Sequence, residues 1–213
     1  MTVIATLTIA SAAISLLALF ILHFVSPELQ PSWRMVSEYA LGKHKWLLSI
    51  FFFCWGISSI LASLLLWKTL NSGWGNVGCI LFFVSGAGAI MGGLFDVKHK
   101  LHGLSFTLGV PTLIAGSLLI AYQLSGLEAW MNYSTLLIAS AHSVWISCVL
   151  MATSMGIMFS GFKKAGVAFG PDAAPPDKVP PGVIALAGYA NRLLVLCYVV
   201  WNILIAYLFL TNH

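Results

Sequence analysis

Six apolar stretches, each long enough to match the thickness of a bilayer, constrain this chain more than any other feature. Crossing the hydrocarbon core as a helix takes about 20 mostly apolar residues. The stretches fall at residues 3–25, 46–67, 76–95, 104–124, 132–160 and 183–210. A membrane barrel would instead show segments of about ten residues with alternating polarity, and no such alternation is present. The expected fold is therefore all-α, a polytopic bundle of six transmembrane helices forming a single domain over residues 1–213. Only 8% of the residues are charged and 60% are apolar, where a soluble domain carries about 25% charged residues. That balance excludes a water-soluble globule, a disordered chain and a nucleic-acid binder, and makes membrane lipids the expected partners. No Lys or Arg precedes Arg34, and the first apolar run exceeds the short core of a signal peptide, so it reads as a retained span.

The basic residues set an orientation. Arg34, Lys43 and Lys45 lie in the first connection, Lys98 and Lys100 in the third, and Lys163, Lys164 and Lys178 in the fifth, with Lys68 alone on the opposite side. Basic connections stay in the cytoplasm. Connections one, three and five are expected there, with both termini on the outer side. The fifth connection, 161–182, holds Pro171, Pro175, Pro176, Pro180 and Pro181 and reads as an extended, flexible linker. Cys54, Cys79, Cys148 and Cys197 fall one per span and suggest buried thiols rather than a disulfide framework.

Within the third span, Ser85, Gly88, Ala89, Gly92 and Gly93 form a small-residue face that admits a close neighbour helix, either within the chain or on a partner protein. Pro111 in the fourth span removes a backbone donor and is expected to kink it. Arg192 is the costliest residue, because an ionisable group at membrane depth needs a partner. Glu38 in the first connection and Asp96 in the third reach the same face and are its expected partners. His99 and His102 follow Asp96 at intervals of three, the candidate zinc set, although a zinc site wants three or four supported ligands. His23 and His142, a conceivable haem pair, sit at different depths. No cofactor is expected.

Together, Ser37-Glu38-Tyr39, Phe95-Asp96 with His102-Gly103, Gly109-Val110-Pro111 and Gly188-Tyr189-Ala190-Asn191-Arg192 resemble the domain-of-unknown-function 998 family of prokaryotic six-span membrane proteins. The resemblance covers nearly the whole chain and implies a bacterial inner-membrane location, with Ser37, Glu38, Asp96, His102 and Arg192 as the positions of interest. It implies no reaction. A looser similarity is to zinc-dependent membrane hydrolases of seven helices, but those carry a late His pair that the sixth span lacks.

Three functions follow as expectations. The first is binding of a lipid headgroup or small anion by Arg192, Asn191, Ser37, Glu38, Asp96 and His102, since a guanidinium forks onto phosphate or carboxylate. The second is a membrane lipid hydrolase or transferase in which Asp96 or Glu38 acts through His102. The third is an accessory subunit of a membrane complex, with the polar cluster as a structural clasp.

Overall fold

The computed structural model describes residues 1–70, 73–167 and 176–212. Six long helices account for most of them: α1 (Thr2–Val25), α2 (Lys45–Trp67), α3 (Gly73–Leu94), α4 (His102–Ser125), α5 (Ser134–Lys164) and α6 (Ala187–Asn212). Short 3-10 helices, Val36–Leu41 and Glu128–Tyr133, precede α2 and α5. All six long helices are long and apolar enough to cross a membrane. In hydrocarbon every backbone N–H and C=O needs an internal partner, which a helix supplies along its own length. No strand is found among the described residues.

The largest departures from the expected boundaries are at α5, which continues to Lys164 rather than 160, and α6, which starts at Ala187 rather than 183. Gly182 has φ +79°, a left-handed conformation that follows Pro180-Pro181 and delays the start of the helix. Residues 168–175 of the proline-rich linker, with Pro171 and Pro175, lie outside the described residues, as do 71–72 and 213. α4 runs through Pro111 unbroken.

The helices form a closed ring. Each packs against its neighbours in sequence, and α6 packs between α5 and α1 while also touching α2. The sequence produces this by placing small residues inward and large ones outward. On α1 the buried positions include Ala5, Thr8, Ala12, Ser15 and Ala18, while Val3, Leu7, Ile14, Leu17 and Phe24 are exposed. Lipid tails are as apolar as leucine, so large side chains lose nothing by facing them, and small ones let backbones approach.

Serine hydroxyls then bond across the contacts: Ser15 donates to the Phe51 carbonyl at 3.0 Å, Ser63 to Cys79 at 2.7 Å and Ser85 to Gly109 at 2.7 Å. The Asn202 amide donates to Ser58 and Ser59 at 2.7 and 2.9 Å, locking α6 to α2. The small-residue face of α3 is taken up inside the chain. Ser85 and Gly88 meet Gly109 of α4, and Gly92 and Gly93 meet Phe52 of α2.

The closest approach of α3 to α4 is at Gly88, where an added Cβ would lie 2.5 Å from the Gly109 nitrogen. The reverse is not true, because a Cβ on Gly109 would find nothing nearer than 3.8 Å. Gly88→Ala should therefore cost about 1–3 kcal/mol through forced separation of α3 and α4. Gly109→Ala should be neutral, or stabilising by up to about 1 kcal/mol from the helix preference of alanine. Thermal unfolding of the two variants in detergent measures the difference, and equal losses would contradict this packing.

Candidate functional site

The polar residues of the basic end divide into separate centres, and each follows from local chain geometry. Arg192 is the sixth residue of α6 and only 8% exposed. Its Nε donates to His23 Nε2 at 2.6 Å. Its Nη1 donates to the carbonyls of Pro31 at 3.1 Å, Arg34 at 2.7 Å and Gly188 at 3.0 Å. Its Nη2 donates to the Tyr39 hydroxyl at 3.2 Å, and the guanidinium carbon lies 5.7 Å from the Tyr39 ring centre.

The His23 tautomer follows from these contacts. Nδ1 is 2.6 Å from the Leu19 carbonyl, which can only accept, so the proton is on Nδ1 and Nε2 offers its lone pair to Arg192. All the partners of Arg192 are neutral. The expected acidic partners are engaged elsewhere, which corrects the sequence reading. Glu38 receives Arg34 Nη1 at 3.0 Å, from the residue just ahead of the 3-10 helix's N-cap, and its other oxygen accepts from the Met35 backbone at 2.6 Å. Asp96 receives Lys45 Nζ at 2.8 Å.

The first connection reaches Arg192 because of Gly188. The Gly188 N–H donates to Ser32 O at 2.9 Å, and Tyr189 N does so at 3.3 Å, so the Ser32 carbonyl caps the start of α6. A Cβ on Gly188 would lie 2.4 Å from Pro31 O and 2.7 Å from Arg34 O, the same carbonyls that Arg192 holds. Asn191 adds a further tie, accepting from Val36 N at 2.8 Å and donating to the Met151 sulfur at 3.2 Å.

A second centre is a cavity of about 100 Å³ between α2, α3, α4, α6 and the 3-10 helix Val36–Leu41. It brings together Ser37, His102 and Asn191, three of the expected site residues, against Trp55, Phe52 and Phe106. His102 Nδ1 lies 3.0 Å from the Phe95 carbonyl, so it carries the proton and Nε2 keeps a lone pair. That proton therefore goes to a backbone carbonyl rather than to Asp96, and the Asp96–His102 relay expected of a hydrolase is not assembled.

His99 also departs from the expected zinc set. Its ring stacks on Phe95 at 4.6 Å, and Nδ1 accepts from Leu101 N at 3.1 Å. Among the described residues no three His, Cys, Asp or Glu side chains gather as a metal site. His142 lies on α5, bonded to Tyr122 at 3.0 Å and to Trp145 at 2.7 Å, whereas His23 on α1 is bonded to Arg192.

A third feature is a groove of about 550 Å³ between α1 and α6. Leu16, Leu17, Leu19, Phe20 and Leu196 line it, and His23 and Arg192 close its polar end. His23, Tyr39 and Trp55 were not singled out as site residues from the sequence. An imidazole inside a span was the available signal for His23, and Tyr39 belongs to a motif already noted. Trp55 left none.

The Asp96 carboxyl sits below the usual carboxylate range, chiefly because of the hydrogen bond from Lys45 and then the one from the Lys98 backbone. A depressed value means that its contribution to stability is present above the ordinary range and is lost as pH falls through the folded value. Lys45→Met should return the Asp96 titration toward the ordinary range, as read by carboxyl carbon NMR. Arg192→Ala should cost at least about 3 kcal/mol, because it strands several buried acceptors at once. Asp96→Asn, which removes one exposed ion pair, should lower thermal stability only slightly at neutral pH and far less than Arg192→Ala, and the two losses should add. Coupling between the two would restore the ion pair that the geometry excludes.

A family model described as a protein of unknown function (DUF998) matches residues 9–208. No curated protein and no solved structure matches the chain.

Proposed function

The chain belongs to the DUF998 family of unknown function, an integral multi-pass membrane protein by its six apolar helices, and we propose that it binds one anionic lipid in the groove between α1 and α6. The observation that carries this reading is an uncompensated charge. Among the described residues Arg192 has no acidic partner, and those of its five donor hydrogens that are bonded meet only neutral groups. Nη2 carries two of those hydrogens and has a single acceptor, Tyr39, at 3.2 Å. One N–H thus remains to be offered, on a residue that lines the groove.

A lipid phosphate supplies what is missing. It brings the counter-charge that a buried cation lacks and accepts from the guanidinium by charge-assisted bonds. The remainder of the groove fits an acyl chain. Leu16, Phe20 and His23 follow one another on one face of α1, Leu196 lies one turn beyond Arg192 on α6, and the volume falls within the range of about 300–1,000 Å³ typical of ligand sites. The basic connections support an orientation with the Arg192 end at the cytoplasmic face and both termini outside, and in this reading the site lies in the inner leaflet of a bacterial inner membrane.

Native mass spectrometry of the protein from mixed phosphatidylglycerol and phosphatidylcholine nanodiscs tests the reading. One phosphatidylglycerol per chain should be retained in preference to phosphatidylcholine. Arg192→Gln should weaken retention at least about tenfold, equivalent to ~1.4 kcal/mol. Because Arg192 also holds the fold together, Leu196→Trp serves as an independent variant that blocks the groove and leaves the guanidinium in place. Equal retention of both lipids, or retention undiminished by Leu196→Trp, would refute the proposal.

A further inference from the structure

The interior cavity shares no lining residue with the groove, and its chemistry is different. Among the described residues its walls include no Asp, Glu, Lys or Arg, so an ion inside it would have no charged partner there. Three polar groups are left with unused bonding capacity. The Trp55 indole N–H is buried without an acceptor, on a side chain only 6% exposed. His102 Nε2 holds a lone pair with no donor, because Nδ1 is the protonated nitrogen. The Ser37 hydroxyl makes no side-chain hydrogen bond among the described residues, although its neighbours Val36 and Glu38 are both engaged. The Trp201 indole N–H is likewise buried without an acceptor, but Trp55 differs in lining a cavity, where an occupant with a lone pair can meet its N–H.

Water alone is a poor occupant. A cavity of about 100 Å³ has the volume of roughly three waters, each of which needs two to four polar partners. Ser105 and Asn191 also line the cavity but are already hydrogen-bonded, to the His102 carbonyl and to Val36 and Met151, and the rest of the wall is apolar, with Phe51, Phe52 and Phe106 among it. A molecule that turns carbon toward the aromatic rings and oxygen toward Trp55, His102 and Ser37 satisfies both parts of the wall. It must accept from an indole N–H and donate to an imidazole nitrogen, and a hydroxyl group does both. The cavity also reaches the bundle surface, since Phe106 lines it and is 48% exposed.

We infer that this cavity is a binding site for an uncharged glycerol-like group with adjacent hydroxyls, held between Trp55, Ser37 and His102. Such a group comes either from free glycerol or from the head of a monoacylglycerol. In the second case the acyl chain leaves past Phe106 into the bilayer.

The test is indole NMR of the full-length protein with nitrogen-15 tryptophan, in nanodiscs. Trp55 is assigned by the resonance that Trp55→Phe removes. Glyceryl monooleate, methyl oleate and free glycerol are the three probes. The Trp55 indole proton should move downfield in a saturable way with glyceryl monooleate and not with methyl oleate, which shares the chain and the ester but lacks the hydroxyls. Saturation by free glycerol as well would identify the soluble polyol as the source, and saturation by the lipid alone would identify the headgroup. His102→Phe and Ser37→Ala should each weaken the response by about threefold to tenfold, the effect of one hydrogen bond, and His102→Gln, which keeps an acceptor, should recover part of it. No shift with either polyol probe, an equal shift with methyl oleate, or undiminished binding by Ser37→Ala and His102→Phe together would overturn the inference. The phosphatidylglycerol measurement on the groove does not bear on this outcome, so the two sites stand or fall separately.

Discussion

The arrangement of the basic end depends on the Arg192 guanidinium. Through one planar group α6 is tied to α1 by His23, to the first connection by the carbonyls of Pro31 and Arg34, and to the 3-10 helix by Tyr39. No neutral side chain has five donors in one plane, and a lysine has only three on a flexible stem. The burial of the charge is tolerable because carbonyl dipoles converge on it, which is how polar groups survive in a bundle without water. Gly188 is the steric counterpart of this contact, since its missing side chain is the space in which Pro31 and Arg34 present their oxygens.

This anchor also determines what the neighbouring groups can do. By holding the first connection against α6, it sets the 3-10 helix Val36–Leu41 over the interior, and Asn191 fastens that helix at Val36. Ser37 then faces a cavity whose far wall comes from α2 and α4. On its other side the same guanidinium lines the apolar groove beside α1. One residue therefore shapes two volumes of opposite character, an apolar groove with a cation at its end and a mixed, uncharged cavity. The ion pairs Arg34–Glu38 and Lys45–Asp96 lie outside both volumes and serve the connections between helices.

Much of this was legible in the residues. Apolar run length locates all six helices, because bilayer thickness sets a length that sequence must meet. Arg192 stands out for the same reason, as a charge where charge is expensive. Ser37, His102, Gly109 and Asn191 come from four separated motifs and do meet at one cavity. The partners of Arg192 were not legible, because three are backbone carbonyls, which every residue possesses and no sequence pattern marks. The Arg34–Glu38 pair forms across the entry to the 3-10 helix, where the bend at Arg34 brings the guanidinium back to Glu38, a turn that no spacing rule marks. The Lys45–Asp96 pair joins two helices through their ends, and its register depends on how closely glycines and Phe52 let α2 and α3 pack.

The ring order carries a consequence for how the protein is made. Of these six helices the last to be made is the one that closes the circle, by fitting between α5 and α1. Until it arrives, His23 has no guanidinium to bond, Ser58 and Ser59 lack the Asn202 amide, and the first connection lacks the start of α6 on which its Ser32 carbonyl rests. The first five helices at that stage form an open arc with a polar seam turned toward lipid. Insertion of α6 seals the seam along its whole length, from Arg192 at one end to Asn202 further along. The newly made chain thus has an interval in which it is threaded but not yet assembled, and the membrane insertion machinery or the surrounding lipid must cover that seam.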